Sequence, residues 1–176
     1  MLFNRIAALL IRRAERRLGV GLDYVHQIAR VDLGLLARYN RIFGFLDPNR
    51  KAPAAAYHAA RLRGAMAADC GTCVEAEINL AKIAGLEPAL IDDIISGDYS
   101  RLPAGVAAAG GLADAVVMRR EDDPEAREAV RAAYGETGLI EICFAMNGAA
   151  LLPGVKRGMG YATSCDPDLL RRRARR

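Results

Sequence analysis

The chain has 176 residues and a mass of 19.0 kDa, the size of one ordinary domain. Hydrophobic residues make up 52% and charged residues 26%, a globular composition that excludes a disordered chain. The longest charge-free stretch, Ile142 to Val155, has 14 residues and contains Asn147, Gly148 and Pro153, so no membrane-crossing helix is expected. The formal net charge of +4 resides at the two ends, because five arginines fall among the first 18 residues and five more among the last six, leaving residues 19–170 acidic. Trp is absent, and Val, Ile, Thr and Phe are sparse beside Ala, Leu, Arg and Glu, so an all-α fold is predicted.

In chain order, Ile6, Leu9, Leu10, Ala14 and Leu18 space an amphipathic helix over residues 4–18, which Gly19 and Gly21 stop. Packing against the body is its expected role, with a membrane-surface helix as the alternative. Its apolar run is cut by Arg12 and Arg13 and is too short for a secretory signal, which places the chain in a reducing cytoplasm by default. A second helical region, Tyr24 to Phe45, is interrupted at Gly34 and Gly44, and residues 47–53 read as a loop. Helices are then expected from Pro53 to Ala67, from Cys70 to Ile83 before Gly85, and from Ala89 to Ile95 before Gly97. The next, Pro103 to Arg120, has a helical pattern, with Gly110-Gly111 in its middle as the one place where it could break. Asp122-Asp123-Pro124 starts another that Gly135 ends, and a last long helix runs from Glu136 to about Met146 or beyond. With no repeat and no long linker, one domain is expected: an N-terminal helical extension over residues 1–50, a core over 51–162 and a basic tail over 163–176. The tail lacks aromatic or glycine interleaving, so it reads as solvated rather than as a nucleic-acid partner's site.

The chemistry concentrates in Asp69-Cys70-Gly71-Thr72-Cys73-Val74-Glu75-Ala76-Glu77. Asp69 is expected as the helix N-cap, which would put Cys70 in the first turn, where the helix dipole and free amides favour a thiolate. Cys73 follows within disulfide reach, and Glu77 continues the same helix face. A carboxylate beside a thiol raises its pKa unless a proton carrier intervenes. His58, on the preceding helix, is the candidate carrier, with Glu77 orienting it or taking the proton in turn.

At these positions the chain resembles alkylhydroperoxidase D and the carboxymuconolactone decarboxylase-like superfamily. That family carries Glu, eleven residues, Cys-x-x-Cys, three residues and His. Here His58, eleven residues, Cys70-Gly71-Thr72-Cys73, three residues and Glu77 keep the spacing, with His and Glu exchanged. The likeness extends over roughly residues 50–162, through the Ala-rich segment before the cysteines, Ala81-Lys82-Ile83-Ala84-Gly85-Leu86 after them, and Tyr134-Gly135-Glu136-Thr137-Gly138-Leu139. The resemblance implies a compact all-α subunit in homo-oligomers, often trimers or hexamers, that reduces hydroperoxides without a cofactor. It also implies that Cys73 is the thiolate attacked by peroxide, that Cys70 condenses with its sulfenic acid into a disulfide, and that a dithiol or redoxin-type reductant restores the pair. His58 would stand at the family's Glu site and Glu77 at its His site. Helix position alone would instead make Cys70 the more acidic thiol. Two thiols argue against the decarboxylase branch.

Cys143 reads as core filling, Cys165 as an incidental or exposed thiol, and His26 as structural with no evident partner. Two other classes of function are compatible with the residues. One is a zinc site built from Cys70, Cys73, Glu77 and His58, although no metal is expected because only one Cys pair is present. The other is a non-catalytic oligomeric binding protein whose basic tail is the working part.

Overall fold

The computed structural model describes residues 2–46 and 51–175, and all the regular structure among them is helical, without a strand. The loop expected over 47–53 falls for its first four residues outside the described part. Three helices precede it: α1 (Leu2–Leu18), α2 (Asp23–Val31) and α3 (Leu33–Asn40), with a 3-10 stretch from Arg41 to Leu46. The break between α2 and α3 comes at Asp32, not at Gly34 as expected. Asp32 takes an extended conformation, and its carboxylate accepts from the amides of Gly34 and Leu35, so an N-cap decides the boundary. After the loop come α4 (Ala54–Ala67), α5 (Gly71–Ile83) and α6 (Pro88–Ser96), the last closed by Gly97 in the left-handed conformation.

α7 (Ala104–Ala113) passes through Gly110-Gly111 without a break and runs into a wider π-turn over Asp114–Arg119. Gly110 is a contact site: a Cβ there would lie 2.8 Å from the Tyr99 ring. α8 (Pro124–Gly158) opens on the Asp123 cap, bends at Gly135, where φ is 72°, and continues through the buried Pro153. It is the described helix long and apolar enough by composition to cross a bilayer. Its apolar face, with Leu139, Ile142, Met146 and Ala149, is instead buried in the protein core.

The main core joins α4–α8 around Leu62, Ile78, Ile91, Ile94, Ile142 and Met146. α4 is sunk deepest because alanines and Gly64 let α8 approach. A Cβ on Gly64 would lie 2.2 Å from the Met146 carbonyl oxygen. A smaller cluster of Ile11, Tyr24, Val25, Ile28 and Tyr39 forms in α1–α3 and packs on Leu152 and Val155 of α8 and on Met159 just after it. Asn79 of α5 ties this extension down by donating to the Leu18 carbonyl at 2.7 Å.

The basic tail is not a free segment: it docks on the body through two apolar residues while its arginines stay largely exposed to solvent. Residues 167–175 form α9 (Pro167–Arg175), which buries Leu170 and Ala174 in the main core. Arg171 and Arg175 each reach the Asp92 carboxylate at 2.9 Å, and Arg173 pairs with Glu75. The pattern of arginines on one face and Leu and Ala on the other is amphipathic. The acids that receive them lie some eighty to a hundred positions earlier, where local inspection has no access to them.

Candidate active site

The start of α5 is shaped by a crossing segment. Asp69 adopts φ 47°, turning the chain, and its carboxylate accepts from the Cys165 amide at 2.8 Å. Cys70, not Asp69, therefore holds the N-cap position, with extended backbone angles, and α5 begins at Gly71. The Gly71 amide donates to the Thr163 carbonyl at 3.0 Å. A Cβ at Gly71 would meet the Ser164 carbonyl oxygen at 2.6 Å, so only glycine accommodates the crossing.

The two sulfurs of this motif touch. Cys70 Sγ and Cys73 Sγ are 2.6 Å apart, both as free thiols, with Cys70 buried and Cys73 partly exposed. The hydrogen bond between the two sulfurs draws the Cys70 pKa down to about 5 against the opposing effect of burial, helped by the Thr72 hydroxyl, the Cys73 amide and the charge of Lys156. The same contact pushes Cys73 far upward, because the two sulfurs share one proton, and burial adds to this. The pair thus sheds one proton readily and keeps the other.

Lys156 was not legible in the sequence. It is buried on α8, 84 positions after Thr72, and donates to Thr72 Oγ1. Its Nζ also lies 5.7 Å from the centre of the Tyr24 ring, whose hydroxyl is 2.5 Å from that of Tyr39. Among the described residues Lys156 has no carboxylate partner within ion-pair distance, and the thiol pair is the acidic group whose pKa its charge lowers.

Glu77 and His58 are placed differently from the expectation. Both carboxylate oxygens of Glu77 are taken by Arg61 of α4, at 2.7 Å from Nε and 2.9 Å from Nη2, in a buried pair. Arg61 Nη1 continues to the Tyr57 hydroxyl at 3.2 Å, which donates to the Leu46 carbonyl at 2.9 Å. No hydrogen bond joins His58 to Glu77 or to either thiol, so the relay inferred from spacing is not assembled. His58 is buried, its Nδ1 has no hydrogen-bond partner, and burial, reinforced by the Arg61 charge and opposed by Glu77, lowers its pKa to about 4. No group of three or more His, Cys, Asp or Glu side chains able to hold a metal ion occurs among the described residues, and with Glu77 occupied by Arg61 the zinc alternative has no ligand set.

Cys73, Thr72, His58 and Lys156 share one cavity of about 930 Å³. It lies between the N-terminal extension and α4, α5 and α8, and most of its wall is aliphatic or aromatic. Tyr57 also lines it, whereas Asp69 and Cys70 do not. Cys143 packs half-buried against the core as expected. Cys165 is less incidental than it reads in sequence. It packs on the core above Asp69, and burial raises its pKa to about 11. His26 does have a partner, Glu15, at 3.4 Å.

No family model, curated protein or solved structure matches the chain. The ground for assigning a function is therefore the chemistry of the site.

Proposed function

We propose that the protein is a thiol-dependent peroxidase of the alkylhydroperoxidase D-like type, in which Cys70 and Cys73 together reduce a hydroperoxide. The observation that carries this reading is the sulfur–sulfur contact of 2.6 Å at the start of α5, with one of the two thiols facing a cavity. A structural cysteine pair has no need of a depressed thiol pKa, a buried lysine or access to a cavity.

Cys73 is the sulfur that an oxidant in the cavity meets, whereas Cys70 is the more acidic one. The shared proton reconciles the two. Transfer of that proton from Cys73 to Cys70 leaves the thiolate on Cys73, and the Lys156 charge and Thr72 hydroxyl stay beside the pair throughout. The Cys73 thiolate attacks the distal oxygen of the hydroperoxide. The O–O bond breaks, the sulfur becomes a sulfenic acid, and the departing alkoxide takes a proton to leave as an alcohol. Cys70 then attacks the sulfenic sulfur and expels its oxygen as water, which closes the disulfide. Hydroperoxide and two thiols become alcohol, water and disulfide, and an external dithiol returns two electrons and two protons by exchange. His58, neutral and lining the same cavity as Cys73, is the imidazole that can hydrogen-bond the bound oxygen. Arg61 and Glu77 brace the wall and take no part in the proton transfers. Assembly into a homo-oligomer belongs to the same reading.

The test is the mass of the protein and of its Cys70→Ser and Cys73→Ser variants after a stoichiometric peroxide pulse with a sulfenic-acid trap. Loss of two hydrogens in the wild type, with sulfenic acid trapped in Cys70→Ser and not in Cys73→Ser, is the expected result. Thiols that stay inert in all three proteins would overturn the reading.

A further inference from the structure

The cavity is far larger and more apolar than a small peroxide requires. Its volume of about 930 Å³ is at the upper end of the roughly 300–1,000 Å³ of small-molecule sites. Ile11, Leu36, Leu80 and Leu152 form part of its wall, while Cys73, Thr72, Lys156 and His58 supply polar groups. Such a wall fits an extended aliphatic chain that bears one oxidised polar function.

The rim shows where that chain comes from. Ile6, Leu10, Phe43 and Ile83 line the cavity and yet are 47%, 60%, 41% and 58% exposed. Leu9, beside them on α1, is also exposed. α1 carries Arg5, Arg12, Arg13, Arg16 and Arg17, all exposed and interleaved with these apolar residues. Its one acid, Glu15, is turned inward, accepting from the Leu22 amide at 2.8 Å and facing His26. The outward face of α1 is therefore apolar and basic together, the combination that suits the headgroup region of an anionic bilayer. Arginine stems cover apolar surface while their heads reach phosphate.

We propose that the cavity takes the acyl chain of a long-chain fatty-acid hydroperoxide, which enters from an anionic bilayer on which α1 and the exposed rim rest. The oxidised end of this ligand rests on the peroxidase reading above, whereas the acyl-chain site does not. Reduction converts the hydroperoxide to the hydroxy fatty acid and water, with the electrons taken from Cys70 and Cys73.

Three measurements on the full chain separate the parts. Titration with cis-parinaric acid, a fluorescent fatty acid without a peroxide group, is expected to show one saturable site per chain that linoleic acid hydroperoxide displaces. Absence of saturable binding overturns the proposal. Thiol oxidation by linoleic acid hydroperoxide is expected to exceed that by hydrogen peroxide by about tenfold or more, a ratio that buried methylenes alone can supply; equal rates overturn the choice of substrate. If neither peroxide oxidises the thiols, the peroxidase reading fails, and the parinaric acid titration still decides the chain site. Flotation is expected with vesicles of phosphatidylcholine and phosphatidylglycerol and not with phosphatidylcholine alone. Leu9→Glu, on α1 and outside the cavity wall, is expected to abolish flotation while leaving oxidation by hydrogen peroxide in vesicle-free solution unchanged. A wild-type chain that never floats, and whose sedimentation mass falls in Leu9→Glu, would assign the rim to a second copy and overturn the bilayer.

Discussion

Arg61 holds Glu77 by two hydrogen bonds, Nε to Oε2 at 2.7 Å and Nη2 to Oε1 at 2.9 Å, across the interface of α4 and α5. Removing either partner leaves a buried charge uncompensated, which costs about 3–5 kcal/mol. Glu77→Ala is therefore expected to lower stability in urea unfolding by about that amount. Arg61→Leu combined with Glu77→Leu should recover most of the loss, and the paired variant should still form the Cys70–Cys73 disulfide. Loss of oxidation in that double variant would return Glu77 to the proton chemistry.

The Cys73 thiol is the largest influence on the acidity of Cys70, and Lys156 a smaller one. In the wild type the thiolate absorbance near 240 nm should persist as the pH falls, until it disappears around pH 5. In Cys73→Ala the sulfur–sulfur hydrogen bond is gone, the Cys70 pKa rises, and the absorbance should be lost at a pH much closer to about 8.5, the value of an ordinary thiol. Lys156→Met should move the same titration in the same direction by less. An unchanged titration in Cys73→Ala would show that the two sulfurs do not share a proton.

α9 is held by burial more than by its arginines. Leu170→Ala removes a buried side chain and is expected to cost about 2–5 kcal/mol in chemical denaturation. Arg173→Ala, whose side chain is about half exposed, should cost less than about 1 kcal/mol. Hydrogen bonding to Arg171, more than any other effect, holds the Asp92 carboxyl below its ordinary range, against partial burial. Its contribution is thus fully present above the unfolded carboxylate pKa and is lost only as the pH falls through the lower folded value. Acid titration of α9 docking, followed by hydrogen exchange, should show release in that low window and not near neutrality.

Two glycines predict opposite outcomes. Gly64→Ala drives a methyl group against the Met146 carbonyl oxygen, an atom of the backbone that cannot rotate away. It should destabilise by about 1–3 kcal/mol or more. Gly154→Ala meets nothing within 4 Å at an exposed helical position, so it should be neutral or stabilise by up to about 1 kcal/mol. Thermal melts of the two variants give the comparison directly.

Local signals located most helices because they are local in cause. Gly19, Gly85 and Gly97 end α1, α5 and α6 through positive φ, and Asp123-Pro124 opens α8 through a cap. The signals misled where a tertiary contact decided the matter. Gly110 is small for the sake of the Tyr99 ring, not to break α7, and Asp32 caps α3 two residues before Gly34. The thiol pair was readable from a spacing of three residues. Arg61 and Glu77 stand 16 positions apart, Thr72 and Lys156 84, and such pairings follow from the packing of α4, α5 and α8, not from any local pattern. Spacing alone suggested a His58–Glu77 relay, whereas the fold gave Glu77 to an arginine on the same helix as His58, one turn further on.

The segment that crosses the start of α5 bears on the order of events during synthesis. Thr163 and Cys165 seat against Gly71 and Asp69 from more than ninety positions downstream. A growing polypeptide therefore presents Cys70 to its surroundings well before the stretch that covers it has been made. Until that stretch arrives, the thiols are ordinary, accessible groups that any oxidant or disulfide in the vicinity can trap. Seating of residues 163–165 is thus a late event in the burial of Cys70.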